Sequence, residues 1–120
     1  MPGTADHPIV ITPNPNRVRV RFGGRVIADT TNALNLKEAN YPVVVYVPRA
    51  DVDFSLLRRT AHSTHCPYKG DASYYSIEVG GKISENAVWS YETPKSDMEE
   101  IASLVAFYPN RVDAIEQTPA

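Results

Sequence analysis

Short runs of alternating apolar and polar residues, cut by glycine pairs and prolines, make up most of this chain. Arg17-Val18-Arg19-Val20-Arg21-Phe22 alternates strictly, which puts Val18, Val20 and Phe22 on one face of a strand and three arginines on the other. Gly23-Gly24 follows, then Arg25-Val26-Ile27-Ala28-Asp29. Two strand-like runs joined by two glycines predict a tight hairpin, because both glycines tolerate positive φ. Ser73 to Val79 repeats the pattern, with Tyr75, Ile77 and Val79 on one face and Tyr74, Ser76 and Glu78 on the other. Gly80-Gly81 then turns the chain toward Lys82-Ile83 and the run Ala87-Val88-Trp89-Ser90-Tyr91.

Between these hairpins, Tyr41 to Pro48 is a continuous β-branched and aromatic run fenced by prolines, the pattern of a strand buried on both faces. Asp51 to Arg59 has apolar residues at helical spacing and predicts two helical turns capped by Asp51. Asn32 to Asn40 reads as a short helical turn or an irregular connection. Ser96 with Glu99 forms a capping-box pattern, so a short helix is predicted from about Asp97. Leu104 to Tyr108 reads as a strand fenced by Pro109. With ten prolines in 120 residues, long helices are not expected.

The chain also echoes itself. Val20 to Val26 (Val-Arg-Phe-Gly-Gly-Arg-Val) parallels Ile77 to Ile83 (Ile-Glu-Val-Gly-Gly-Lys-Ile), and the run ending at Pro48 parallels the run ending at Pro109. Read as a degenerate duplication, the halves span about 17–53 and 74–113; chance recurrence of turns and fenced strands is the competing reading. Residues 1–60 carry eight basic and five acidic side chains, and residues 61–120 carry four and nine. If the halves packed together, a groove between them would have one basic and one acidic wall.

Composition narrows the class. At 13.3 kDa, with 42% hydrophobic and 22% charged residues, one globular domain over 1–120 is expected, with an ordered core at about 9–116. A net charge of -2 argues against nucleic acid as a partner, since that footprint needs a strongly basic face. No apolar run approaches a membrane span, and Met1 to His7 lacks the basic and apolar regions of a secretory leader, so a cytoplasmic protein is expected. A single cysteine excludes an internal disulfide and any cysteine-only metal site. The chain has no phosphate-binding glycine loop, no nucleophile elbow and no metalloprotease helix.

Candidate chemistry concentrates in Thr64 to Tyr75, which has loop composition and holds the only cysteine, His65, Lys69 and three tyrosines. A zinc site would need His62, His65, Cys66 and one more ligand, without the paired cysteine knuckles usual for zinc. Cys66 could be a nucleophile if Lys69 lowered its pKa, but His65, adjacent in an extended stretch, points away from it. An inert packed thiol is the stronger reading, because free cysteine is among the most buried residue types. The third reading is a pocket: Lys69, Tyr74, Trp89 and Tyr91 line one concavity with Cys66 at its base, and Arg49 or Asp51 comes from the other half. The Arg17, Arg19, Arg21 ladder reads as a solvated edge face rather than a phosphate grip.

These same segments resemble a known family. Thr64, Cys66, Pro67, Lys69 and Gly70, with the aromatic pair Tyr74-Tyr75, match its T-x-C-P-x-K-G run, and Trp89, Tyr91 and Pro94 match its W-x-Y-x-x-P run. Ala106 to Pro109 match its A-F-Y-P close, and Tyr46, Pro48, Arg49 and Asp51 match a further region. The chain thus resembles domain of unknown function family 427, a largely bacterial group sometimes labelled nucleotidyltransferase-like. The resemblance implies a compact, mainly β domain of the β-tent, Mss4-like kind and brings no established reaction. The expectation is therefore a small-molecule or anion-binding domain without metal or cofactor. An enzyme using Cys66 or Lys69 and a homodimeric interaction protein are the alternatives.

Overall fold

The computed structural model describes residues 3, 4 and 6–120; residues 1, 2 and 5, part of the stretch read as lacking a leader, lie outside it. The chain is mainly β. Its strands, in order, are β1 (Gly3–Thr4), β2 (His7–Pro13), β3 (Asn16–Phe22), β4 (Arg25–Thr30), β5 (Leu34–Glu38), β6 (Val44–Tyr46), β7 (Leu57–Cys66), β8 (Gly70–Val79), β9 (Lys82–Ser90), β10 (Val105–Phe107) and β11 (Ala114–Pro119). They form three antiparallel sheets ordered β1-β2-β5-β6, β10-β9-β8-β7 and β11-β3-β4.

The β10-β9-β8-β7 sheet is central because both of its faces are apolar. Alternation along β8 sends Tyr75, Ile77 and Val79 to one side, where they pack with Val20, Ile27 and Phe107. Ala72 and Tyr74 go to the other side and meet Ile9, Leu36 and Tyr46 from the β1-β2-β5-β6 sheet. Met98 and Ile101, both fully buried, close that second core from the 3-10 segment Ser96–Ile101. Residues 74, 89 and 91 therefore share one side, as their alternation predicts.

Both glycine hairpins form with two-residue loops, Phe22 opposite Arg25 and Val79 opposite Lys82. All four glycines have positive φ, at 59°, 81°, 54° and 84° for Gly23, Gly24, Gly80 and Gly81. Positive φ at both central positions matches the right-handed twist of the flanking strands. The two turns differ in surroundings. A Cβ on Gly23 would stand 3.1 Å from the Val79 side chain, whereas one on Gly80 would meet nothing within 4 Å. Gly80→Ala is expected to cost about 1 kcal/mol, the left-handed penalty alone. Gly23→Ala should cost measurably more in denaturant unfolding, and equal losses would contradict this packing.

Several expectations are corrected. Asn32 to Asn40 holds strand β5 rather than a helical turn, since Leu34 and Leu36 bond across to β6 and β2. Asp51 to Arg59 is not two α-helical turns: single 3-10 turns at Arg49–Asp51 and Phe54–Leu56 lead into β7, and Asp53 rather than Asp51 accepts the capping bond, from the Ser55 N–H. The 96–101 segment follows Lys95 without a side-chain cap, so the Ser96–Glu99 box does not form. The proline-fenced run is buried only at its end, with Tyr46 and Val47 at 1% exposure but Tyr41 at 62% and Val43 at 51%. Leu104 to Tyr108 does contain strand β10. The Thr64–Ser73 stretch is no loop but a hairpin, because β7 runs to Cys66 and β8 starts at Gly70.

The arginine ladder is not on an edge. β3 is the middle strand of its sheet, because Ala114–Pro119 adds β11 alongside it. Arg17 donates two bonds to Asp29 on β4, at 2.8 and 2.7 Å, and Arg21 one to Glu116 on β11, at 2.7 Å. The two hairpins that carry the sequence echo have different sheet neighbours. The β3–β4 hairpin lies beside β11, the β8–β9 hairpin between β7 and β10, and the fenced strands pair with different partners, β5 and β9. Those fenced strands instead meet each other, Val47 and Val105 exchanging backbone bonds of 2.8 and 2.9 Å. The uneven charge is consumed pairwise across the sheets, as in Arg21–Glu116, Arg49–Glu92 and Arg58–Glu78, rather than lining a groove.

Candidate functional site

The ends of β2, β5 and β7 converge with the β7–β8 turn over one margin of the central sheet and leave a cleft of about 720 Å³. His7 and Glu38 come from the first sheet, Cys66 and Tyr68 from the turn, and Trp89 and Tyr108 from the central sheet. The walls are ring faces. His7 stacks on Tyr68 at 4.1 Å and 8° between planes, and Trp89 lies 4.5 Å from Tyr108. Rings fixed on strand ends and held against each other present a preformed apolar surface.

The polar floor is a buried ion pair. Lys69, in the tight turn that closes β7 onto β8, reaches back under the cleft and donates to Glu38 Oε1. Glu38 Oε2 bonds His7 Nε2 at 2.6 Å. The side chains of Lys69 and Glu38 are only 9% and 15% exposed. Burial disfavours the Glu38 charge, yet the bonds from Lys69 and His7 outweigh it and hold the carboxyl below the ordinary value of 4.5. Lys69 Nζ also lies 5.8 Å from the centre of the Tyr91 ring.

Below this floor the tyrosines are core. Tyr74 is 5% exposed and Tyr91 6%. The Tyr74 hydroxyl bonds those of Thr64 at 3.0 Å and Tyr108 at 3.2 Å. Burial and that bond push the Tyr108 hydroxyl up to about 12, and burial pushes those of Tyr46 and Tyr91 well above their ordinary value. The Trp89 indole N–H donates to the Tyr46 hydroxyl at 3.3 Å, so its ring is fixed from behind while one side lines the cleft.

The seven residues singled out in the sequence therefore divide. Cys66 and Trp89 line the cleft, Lys69 lies beneath it, and Tyr74 and Tyr91 are packed into the second core. Arg49 and Asp51 are elsewhere. Arg49 stands over the Phe54 ring at 4.4 Å and donates to the Tyr75 hydroxyl at 2.9 Å, on the opposite face of the central sheet. It also pairs with Glu92, which Arg59 contacts at 2.8 Å. Asp51 accepts from the Thr30 hydroxyl at 2.7 Å. Half-buried Cys66 has no base at hand from its neighbour: His65 bonds Asp71 at 2.7 Å on the exposed side. Among the described residues no three His, Cys, Asp or Glu side chains come together as a metal site, and no helix is long and apolar enough to cross a membrane.

His7, Glu38, Tyr68 and Tyr108 were not singled out for this site. Glu38 lay in a stretch read as a short helical turn or an irregular connection, and His7 opens strand β2, whose alternation is cut by Pro8 and Pro13. Tyr68 and Tyr108 stood inside the resembling segments, which was their only signal. Compared with known proteins, a family model described as a domain of unknown function, DUF427, matches residues 10–118 of the chain. No curated protein matches it.

Proposed function

Since the chain belongs to the DUF427 family of domains of unknown function, whose description assigns no reaction, we propose from its geometry that it binds a small, planar, uncharged heterocycle in the cleft between His7–Tyr68 and Trp89–Tyr108. The observation that carries this reading is the convergence of four aromatic side chains over a single buried carboxylate. Ring faces supply stacking area, and Glu38, with Lys69 and His7 already bound to it, offers its remaining lone pairs to a ligand N–H. An anion is the poorer fit, because the lysine charge beneath the cleft is already matched by Glu38. Catalysis by Lys69 is disfavoured for the same reason, since an ammonium donating to a carboxylate has no lone pair for attack.

Trp89 is the only tryptophan, so its emission reports directly on the cleft. Titration with benzimidazole at neutral pH is expected to change Trp89 emission saturably, and 4-hydroxybenzoate, planar but anionic, to bind at least tenfold more weakly. Glu38→Gln combined with Lys69→Met, which leaves neither charge buried, should weaken benzimidazole while the protein stays folded by circular dichroism. No saturable response to benzimidazole, or a preference for the anion, would overturn the reading.

A further inference from the structure

The cleft has an apolar annex. Between the β11-β3-β4 sheet and the neighbouring strands β6 and β10, joined by the Val47–Val105 bridge, runs a groove of about 240 Å³. Its floor is made by Val18, Val20, Val47 and Phe107, each at most 5% exposed. Half-buried Val45 and Ile115 form its sides, and none of its lining residues among those described is charged. It exists because alternation on β6 splits the fenced run: Tyr46 points into the second core, while Val45 and Val47 line the groove. Val43, Val44, Trp89 and Pro109 line both the groove and the cleft, so the two hollows share a wall.

We propose that the groove takes the unbranched aliphatic tail of the same ligand whose planar head lies in the cleft. The substrate class is thus an uncharged heterocycle bearing a short alkyl chain. This inference rests on the cleft reading and adds the tail to it. Three features select the occupant. The groove carries no charge to meet an ionic group, and its one polar wall residue, Gln117, already accepts bonds from Asn14 and Asn16 at 3.0 and 3.1 Å. Its volume exceeds the roughly 150 Å³ of a dry cavity that admits benzene, room for a chain of several carbons. The four lining residues common to both put the groove directly beside the cleft at Trp89, within reach of a chain attached to a head bound there. A free protein segment or a second copy would instead need a long open face, and the groove is short and walled on both sides.

The test is calorimetric titration of the full chain with benzimidazole and its 5-ethyl, 5-butyl and 5-hexyl derivatives, which keep the ring N–H, beside a series of 1-alkanols from ethanol to hexanol. Affinity is expected to rise about three- to fourfold per methylene until the groove is full, the yield of burying a CH2 group. Val45→Phe, which fills the groove, should flatten the series and leave benzimidazole itself within twofold. Ile115→Phe serves the same purpose from the other wall if the first variant does not fold. A chain-length slope in the alkanols with no binding of benzimidazole would overturn the cleft reading and keep the groove. Flat series in both sets, or a slope that survives both filling variants, would overturn the groove.

Discussion

Lys69→Ala is expected to destabilise the protein by about 3–5 kcal/mol, an effect usually seen when one partner of a buried ion pair is removed. The reason is the carboxylate left behind. Glu38 is 15% exposed at its side chain and would keep its charge with only His7 as partner. A lysine on an open pocket wall would instead change stability within about 0.5 kcal/mol on truncation. The double variant Lys69→Met with Glu38→Gln should recover most of the loss, because neither charge then remains buried. The pH dependence follows from the lowered Glu38 carboxyl. A depressed folded-state pKa contributes stability that is present above the unfolded value and lost as pH falls through the folded one. Stability should therefore fall below pH 4.5, and Glu38→Gln should flatten part of that acid limb. Urea unfolding at neutral pH and along the acid limb reads both. A loss under 1 kcal/mol for Lys69→Ala would show the pair to be solvated.

Tyr75→Ala should cost a similar amount for a different reason. This ring is 5% exposed on the first core side of β8, edge-on to Phe54 at 5.6 Å. Its hydroxyl accepts from Arg49 at 2.9 Å and donates to Glu92 at 3.0 Å. Burial opposes the Glu92 charge, but the bond from Tyr75 and the contact with Arg59 hold its carboxyl below the ordinary value. Truncation removes the ring and leaves a cavity, a change that costs about 3–5 kcal/mol for large aromatic residues. Tyr75→Phe keeps the ring and removes only the two hydroxyl bonds, while Arg49 and Glu92 still pair with each other, so about 1 kcal/mol is expected. If the two variants lost the same amount, the ring packing would contribute nothing and the account of the first core would be wrong. Benzimidazole binding should survive Tyr75→Phe, since Tyr75 faces away from the cleft.

What was legible in the sequence was local. The glycine pairs demanded positive φ at adjacent positions, a requirement met within four residues, so both hairpins could be read directly. The split of Tyr74 from Tyr75 followed from alternation, as did the shared side of Trp89 and Tyr91. The strands that were missed lacked such signals. β7 carries polar residues at nearly every position and is interrupted by a register shift between Arg59 and Ser63, so its alternation is erased. β11 is short and mostly exposed, and its partner β3 lies 95 residues away at the Arg21–Glu116 contact. The site was half legible for the same reason. Cys66, Lys69 and Trp89 sit within 24 residues of one another, but Glu38 and His7 reach them only because β2 and β5 fold over the central sheet. Arg49 was misplaced because sequence alone does not say on which face of that sheet a following turn will land.

The most direct measurement of the central claim is a crystal of the protein soaked with benzimidazole. The account predicts ring density between Tyr68 and Trp89 with one nitrogen within hydrogen-bond distance of a Glu38 carboxylate oxygen. Benzimidazole bound elsewhere on the surface, or an empty cleft at saturating concentration, would contradict it.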